Sequence, residues 1–277
     1  MPSAPERDGL LPLAWARVAI GALFLFRTTP LGGLIDPALG SDAHPLLGWP
    51  HADASLAFGF GLSAAALKAL CVVRTLGLVA FTLGLCARPA GLLAAAAGAL
   101  VLMQSPFGFT STQQLLLEAT ALLALADSST ALALWREEAR APASSRWMLR
   151  AFVASVYAWA AFAKLRPDWL DGRTLALFHE SGRLSGPLAD ALLATPGRCA
   201  ILGPAIAFGE LSLGPLLLIR RTRWAGIALA FAFHAGIEWM GHPDVIGWAM
   251  LGLLLVFVEP RRQRRQAADA SGQTTSP

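Results

Sequence analysis

Nine ionisable side chains stand inside long apolar runs of this sequence: Arg17, Arg27, Lys68, Arg74, Glu118, Lys164, Glu210, His234 and Glu238. Hydrocarbon penalises such groups, so they belong on a protected face, where they either pair with one another or handle protons. Lys164 is the first candidate for proton chemistry. Only two of the 22 basic residues are lysines, and this one closes the apolar run SVYAWAAFAK just before Leu165, Arg166, Pro167 and Asp168. A lysine withdrawn from water can release its proton and serve as a base, whereas an arginine cannot. The alternative is a lysine whose stem covers apolar surface while its ammonium reaches the lipid headgroups.

His234 and Glu238 are four positions apart and share one helical face, with His242 four further on. Three such groups could in principle hold a divalent metal, but Gly241 and Pro243 end the helix beside the third, and no metal is expected. A His–Glu hydrogen bond that fixes helix packing is the alternative use of the pair. Glu210, between Gly209 and the Gly214–Pro215 step, is open to a ligand contact or to pairing with arginine. Arg17 and Arg74 read as interhelical ties to Glu118 or Glu210. Cys71 and Cys86 read as apolar fillers, and the tryptophans at 49, 135, 147 and 169 as an interfacial belt.

Apolar helices must position these groups. The chain has 277 residues, of which 55% are hydrophobic and 14% charged, and its mean hydropathy is +0.55. That balance excludes one large water-soluble core, and three cysteines are too few for a disulfide framework. Crossing a bilayer takes about 17–25 apolar residues. Eight runs approach that length: Leu10–Thr29, Leu62–Cys86, Pro89–Ser105, Gln113–Trp135, Trp147–Leu165, Cys199–Ile219, Trp224–Met240 and Val245–Val258. The expected fold is therefore all-α, a polytopic transmembrane bundle of about eight spans.

Loop charge gives the orientation. Arg88, the Arg136–Arg146 stretch, Arg220–Arg223 and Arg261–Arg265 fall on one side, which the positive-inside rule makes cytoplasmic together with both termini. Residues 30–61, with three Asp and no Lys or Arg, fall on the other side. So does the long 166–198 segment, the one loop large enough to cover a site. The implied domains are an N-terminal segment 1–9, a membrane domain 10–260, and a tail 261–277 that is basic and then disordered. In this topology Arg27, Glu118, Lys164, His234 and Glu238 all lie in the outer leaflet, so one outward-facing polar pocket is possible. The basic clusters answer to topology, and no nucleic-acid partner is expected. No phosphate-binding glycine loop, CxxC pair or nucleophile elbow is present.

The run YAWAAFAKLRPDWLDG resembles the HTTM (horizontally transferred transmembrane) family, which includes the membrane portion of vitamin K-dependent gamma-carboxylase. GLVAFTLGLCARPAGLL at 77–93, the stretch 107–135 and GELSLGPLLLIRRTRWAGIALAFAFHAGIEW at 209–239 follow in the family's order, so the resemblance covers about residues 10–260. It implies an enzyme that deprotonates a reduced naphthoquinone, combines it with oxygen, and uses the strong base formed to carboxylate peptide glutamate. Lys164 matches the family's base and His234 the histidine of its Phe-His element.

There are departures. Thr110–Ser111–Thr112 replaces an Asn-His pair, Ile237 replaces an Asn, and the family enzyme's large extramembrane region has no counterpart after the last span. These speak against glutamate carboxylation. The resulting expectation is a multi-pass protein of a bacterial inner (plasma) membrane that binds a quinol or similar lipid-like molecule. Lys164 is its base, His234 and Glu238 are its relay, and Glu118 and Glu210 are further pocket members. A reduced quinone is the implied cofactor or substrate. The rival reading is a non-catalytic membrane scaffold or small-molecule carrier whose buried charges only pair helices.

Overall fold

The computed structural model describes residues 11–28, 62–103, 111–126, 128–135, 144–240 and 245–258. Helices take 84% of these and no strand occurs among them, so the chain is all-α. His242 and the expected terminal segments 1–9 and 261–277 lie outside the described residues. Contacts divide the chain into two compact units, 1–146 with 258–277 and 147–257.

The first unit contains α1 (Leu11–Thr28), α2 (Ala64–Leu83), α3 (Ala87–Met103) and α4 (Ser111–Leu125). Ser63 caps α2 by accepting the Ala66 N–H at 3.2 Å. Gly84 ends it in the left-handed conformation, φ 72°. Small residues allow close approach: Gly77 faces Ala94 of α3, and Gly91 faces Phe81 of α2 and Ala124 of α4. Arg17 is fully buried and its guanidinium donates to the Leu132 carbonyl. Arg74 donates to the Thr28 carbonyl at 3.4 Å. Both arginines were expected on Glu118 or Glu210. The carbonyl at a helix C-terminus has no partner within its own helix, which makes Thr28 a natural acceptor for Arg74.

The fourth predicted span stops at Leu125 and not at Trp135. Ser and Asp compete with the helix for backbone hydrogen bonds, and here Ser128 Oγ donates to the Leu123 carbonyl at 2.7 Å. The chain then returns to the end of α2, where the Leu134 and Trp135 amides bond the Leu83 and Gly84 carbonyls at 3.0 and 3.1 Å.

α5 (Ser144–Lys164) enters the second unit at Trp147. It is followed by the short α6 (Pro167–Leu170), α7 (Arg173–Glu180) and α8 (Gly186–Leu193). The longer α9 (Pro196–Leu218), α10 (Arg223–Trp239) and α11 (Val245–Leu253) come next, the last extended by a 3-10 turn to Phe257. Thr195 caps α9 and Pro196 opens it. The helix runs through Pro204 and Pro215 without a break. Arg223 Nε donates to the Leu217 carbonyl at 3.2 Å and Arg150 Nε to the Val256 carbonyl at 3.0 Å, each meeting an acceptor that a helix end leaves open.

The 166–198 segment is thus built from α6, α7 and α8. It packs through Leu175, Ala189 and Leu193 onto Cys199, with Trp169, Leu202 and Ile206 at the rim.

Every predicted run carries a helix. Three of these are long and apolar enough to cross a bilayer: Leu11–Thr28, Ala65–Leu83 and Pro196–Leu218. α4 falls short at 15 residues, and α3 and α10, at 17 residues each, stand at the lower limit of length. Large apolar side chains face outward on the second unit, among them Trp159, Phe162, Ile201, Phe208 and Phe231. Water would penalise that surface and lipid tails would solvate it.

Candidate acid-base site

The second unit gathers four polar side chains from three helices. Val153, Tyr157 and Ala161 lie on the buried face of α5, and Lys164 follows at its last position. Tyr157 and Lys164 are seven residues apart, about two turns, and so lie along one side of the helix. α9 supplies Glu210 and α10 supplies His234, both buried. α5 and α9 meet where Gly214 faces the Ala154 carbonyl, and α9 and α10 meet where Gly226 faces Leu216. Glycine at those points lets the backbones approach closely enough for short side chains to reach across.

Lys164 turns inward. Its Nζ stands 2.6 Å from Glu210 Oε2, with side-chain exposures of 19% and 6% for the two partners. The same ammonium donates to the Ala160 carbonyl at 3.2 Å and lies 5.5 Å from the centre of the Trp169 ring. A cation over an indole face at that distance is attracted by the ring quadrupole. Beside this ion pair, the Tyr157 hydroxyl and His234 Nε2 share a hydrogen bond of 3.0 Å. The two pairs also act on each other through space: Glu210 is within electrostatic range of Tyr157, and Lys164 of His234. Phe233 packs edge-on against the imidazole, with ring centres 5.3 Å apart.

A family model for the HTTM domain matches residues 62–261. The chain belongs to the HTTM family. No curated protein and no solved structure matches it. Family membership together with the apolar helices makes this an integral membrane protein. The matched region contains every member of the acid-base cluster.

Of the residues singled out from the sequence, Lys164, Glu210 and His234 come together in this HTTM domain. Glu238 is half-buried one turn beyond His234, with its carboxylate against Gly247 of α11. Glu118 belongs to the first unit, where it is exposed on α4 and accepts a hydrogen bond from Gln114 at 3.0 Å. Among the described residues no group of three metal-ligating side chains gathers.

Two members of the site were not predicted. Tyr157 is the only tyrosine in the chain, and its two-turn spacing from Lys164 was the available signal. Trp169 was read as part of an interfacial belt; its ring lies over the Lys164 amine and packs edge-on against Phe178.

Proposed function

We propose that this HTTM protein binds a quinol or a similar lipid-like molecule with an acidic hydroxyl and removes its proton at Lys164. The observation that carries the reading is the 2.6 Å Lys164–Glu210 pair. A proton passed from Nζ to Oε2 leaves an amine beside a carboxylic acid, with no net change of charge. The amine lone pair then takes the hydroxyl proton, and the ammonium formed offsets the charge left on the substrate oxygen. Tyr157 and His234 form a second hydrogen-bonded couple along the same side of α5 that can pass a proton onward or orient the substrate. Once deprotonated, a quinol supplies an electron-rich ring open to oxidation. The residues fit such a molecule: an acid-base pair under an indole ring, in a chain solvated by lipid. Peptide glutamate carboxylation is not part of the proposal.

The ion pair also supports a second reading, in which it only ties α5 to α9 in a scaffold or carrier. Lys164→Arg separates the two, because arginine keeps the charge and cannot act as the base. Oxidation of the quinol by dissolved oxygen in the presence of purified protein should fall at least 100-fold with the fold retained; undiminished turnover would favour the tie.

The same proposal includes a single membrane domain over 10–260 that crosses a bacterial inner membrane about eight times, with both termini cytoplasmic. Alternation of loop charge supports it. Reporter fusions after Arg223 and after Pro260 should both report the cytoplasm, and opposite answers would refute that topology.

A further inference from the structure

α9 carries two contacts of different kinds on its buried side. Glu210 holds Lys164, and Gly203, seven residues earlier, faces the Trp169 carbonyl so closely that any side chain there would collide with it. Trp169 is thereby seated with its main chain on α9 and its indole over the Lys164 Nζ. The seat is reinforced from both sides. The Gly172 amide donates to the Trp169 carbonyl at 3.1 Å. Gly172 itself, at φ 82°, packs against the Cys199 and Ala200 backbone, where a Cβ has no room. Phe178 of α7 meets the indole edge-on.

We infer that Trp169 is a positioning residue, seated by Gly203, that holds the Lys164 amine against Glu210 and keeps it covered. The short helices α6 to α8 then act as a fixed aromatic cover over the reactive amine. The ring excludes water from one side of Nζ, while its face favours a cation there. Removing the ring leaves the amine free to leave the carboxylate; displacing its seat does the same without touching the ring. The inference rests on the Lys164–Glu210 geometry and not on quinol chemistry, so either can fail alone.

The chain supplies its own reporters. It has two lysines, and Lys68 is exposed on α2. Cys199 is buried beneath the cover and Cys71 is buried in the first unit. The experiment is reductive methylation and thiol labelling of the full chain in detergent micelles, read by peptide mass spectrometry. In the unaltered protein Lys164 should react at least tenfold more slowly than Lys68. Trp169→Leu and Gly203→Ala should each raise the Lys164 rate about tenfold, with Lys68 unchanged and Cys71 still protected. Gly203→Ala should also open Cys199. Trp169→Phe, which keeps a ring, should retain most of the protection. Gly197→Ala, on the same helix with open space around it, should change nothing. The inference is overturned if Lys164 reacts alike in all variants, or if its rate rises only together with labelling of Cys71, which would assign the effect to unfolding.

Discussion

The Tyr157 hydroxyl and His234 Nε2 meet at 3.0 Å, both side chains buried, and this bond joins α5 to α10 beside the Lys164–Glu210 pair. Each partner satisfies the other in a place water does not reach. Tyr157→Phe should therefore cost about 1–3 kcal/mol, the usual penalty for a buried polar group left without its partner. Tyr157→Phe combined with His234→Leu should recover much of that loss, since removing both partners leaves nothing unsatisfied. Thermal unfolding midpoints in detergent would show it, and a double variant as unstable as the sum of the singles would contradict it.

The Lys164–Glu210 pair calls for a double-mutant cycle. Glu210→Gln leaves an ammonium without its carboxylate, and Lys164→Met leaves a carboxylate in the interior. Each should destabilise by about 2–3 kcal/mol, below the range for a fully buried pair because Nζ keeps some exposure. The double variant should fall well short of the sum, with a coupling of about 1–2 kcal/mol. Additive losses would mean that the two groups act independently.

Much of the helical architecture is legible in the sequence, because hydrophobic runs report directly on helices. Every predicted run carries a helix, and the error at the fourth came from reading ADSSTALALW as a continuation when its serine turns the chain back toward α2. The site was legible one residue at a time. Lys164, Glu210 and His234 announce themselves as ionisable groups in apolar surroundings, but which of them meet depends on how helices pack. Local spacing does not carry that information, so Glu210 was matched to arginines that in fact bond backbone carbonyls. Tyr157 and Trp169 were not read as site members for another reason: an uncharged aromatic side chain costs far less in lipid than an ionised one and does not stand out in an apolar run.

Outside the membrane runs, Asp171 offers a pH test. The Arg173 backbone amide bonds its carboxylate at 3.1 Å, and the Arg173 side chain adds a contact at 2.7 Å, holding the acid below its ordinary pKa. A lowered pKa means the carboxylate stabilises the start of α7 above the unfolded value, and this contribution is lost as pH falls from about 4 downward. Amide exchange across 174–180, corrected for intrinsic rates, should accelerate in that window. Asp171→Asn should show faster exchange already at neutral pH and no further change on acidification. A variant with the original pH dependence would assign the effect elsewhere.

The central claim is that Lys164 takes a proton from a bound quinol. The direct measurement is the absorption spectrum of a reduced naphthoquinone bound to the protein in lipid nanodiscs, without oxygen and near neutral pH. The account predicts the red-shifted band of the quinolate with the unaltered chain and its disappearance with Lys164→Met. The spectrum of the undissociated quinol in both, or a quinolate band that survives the substitution, would contradict it.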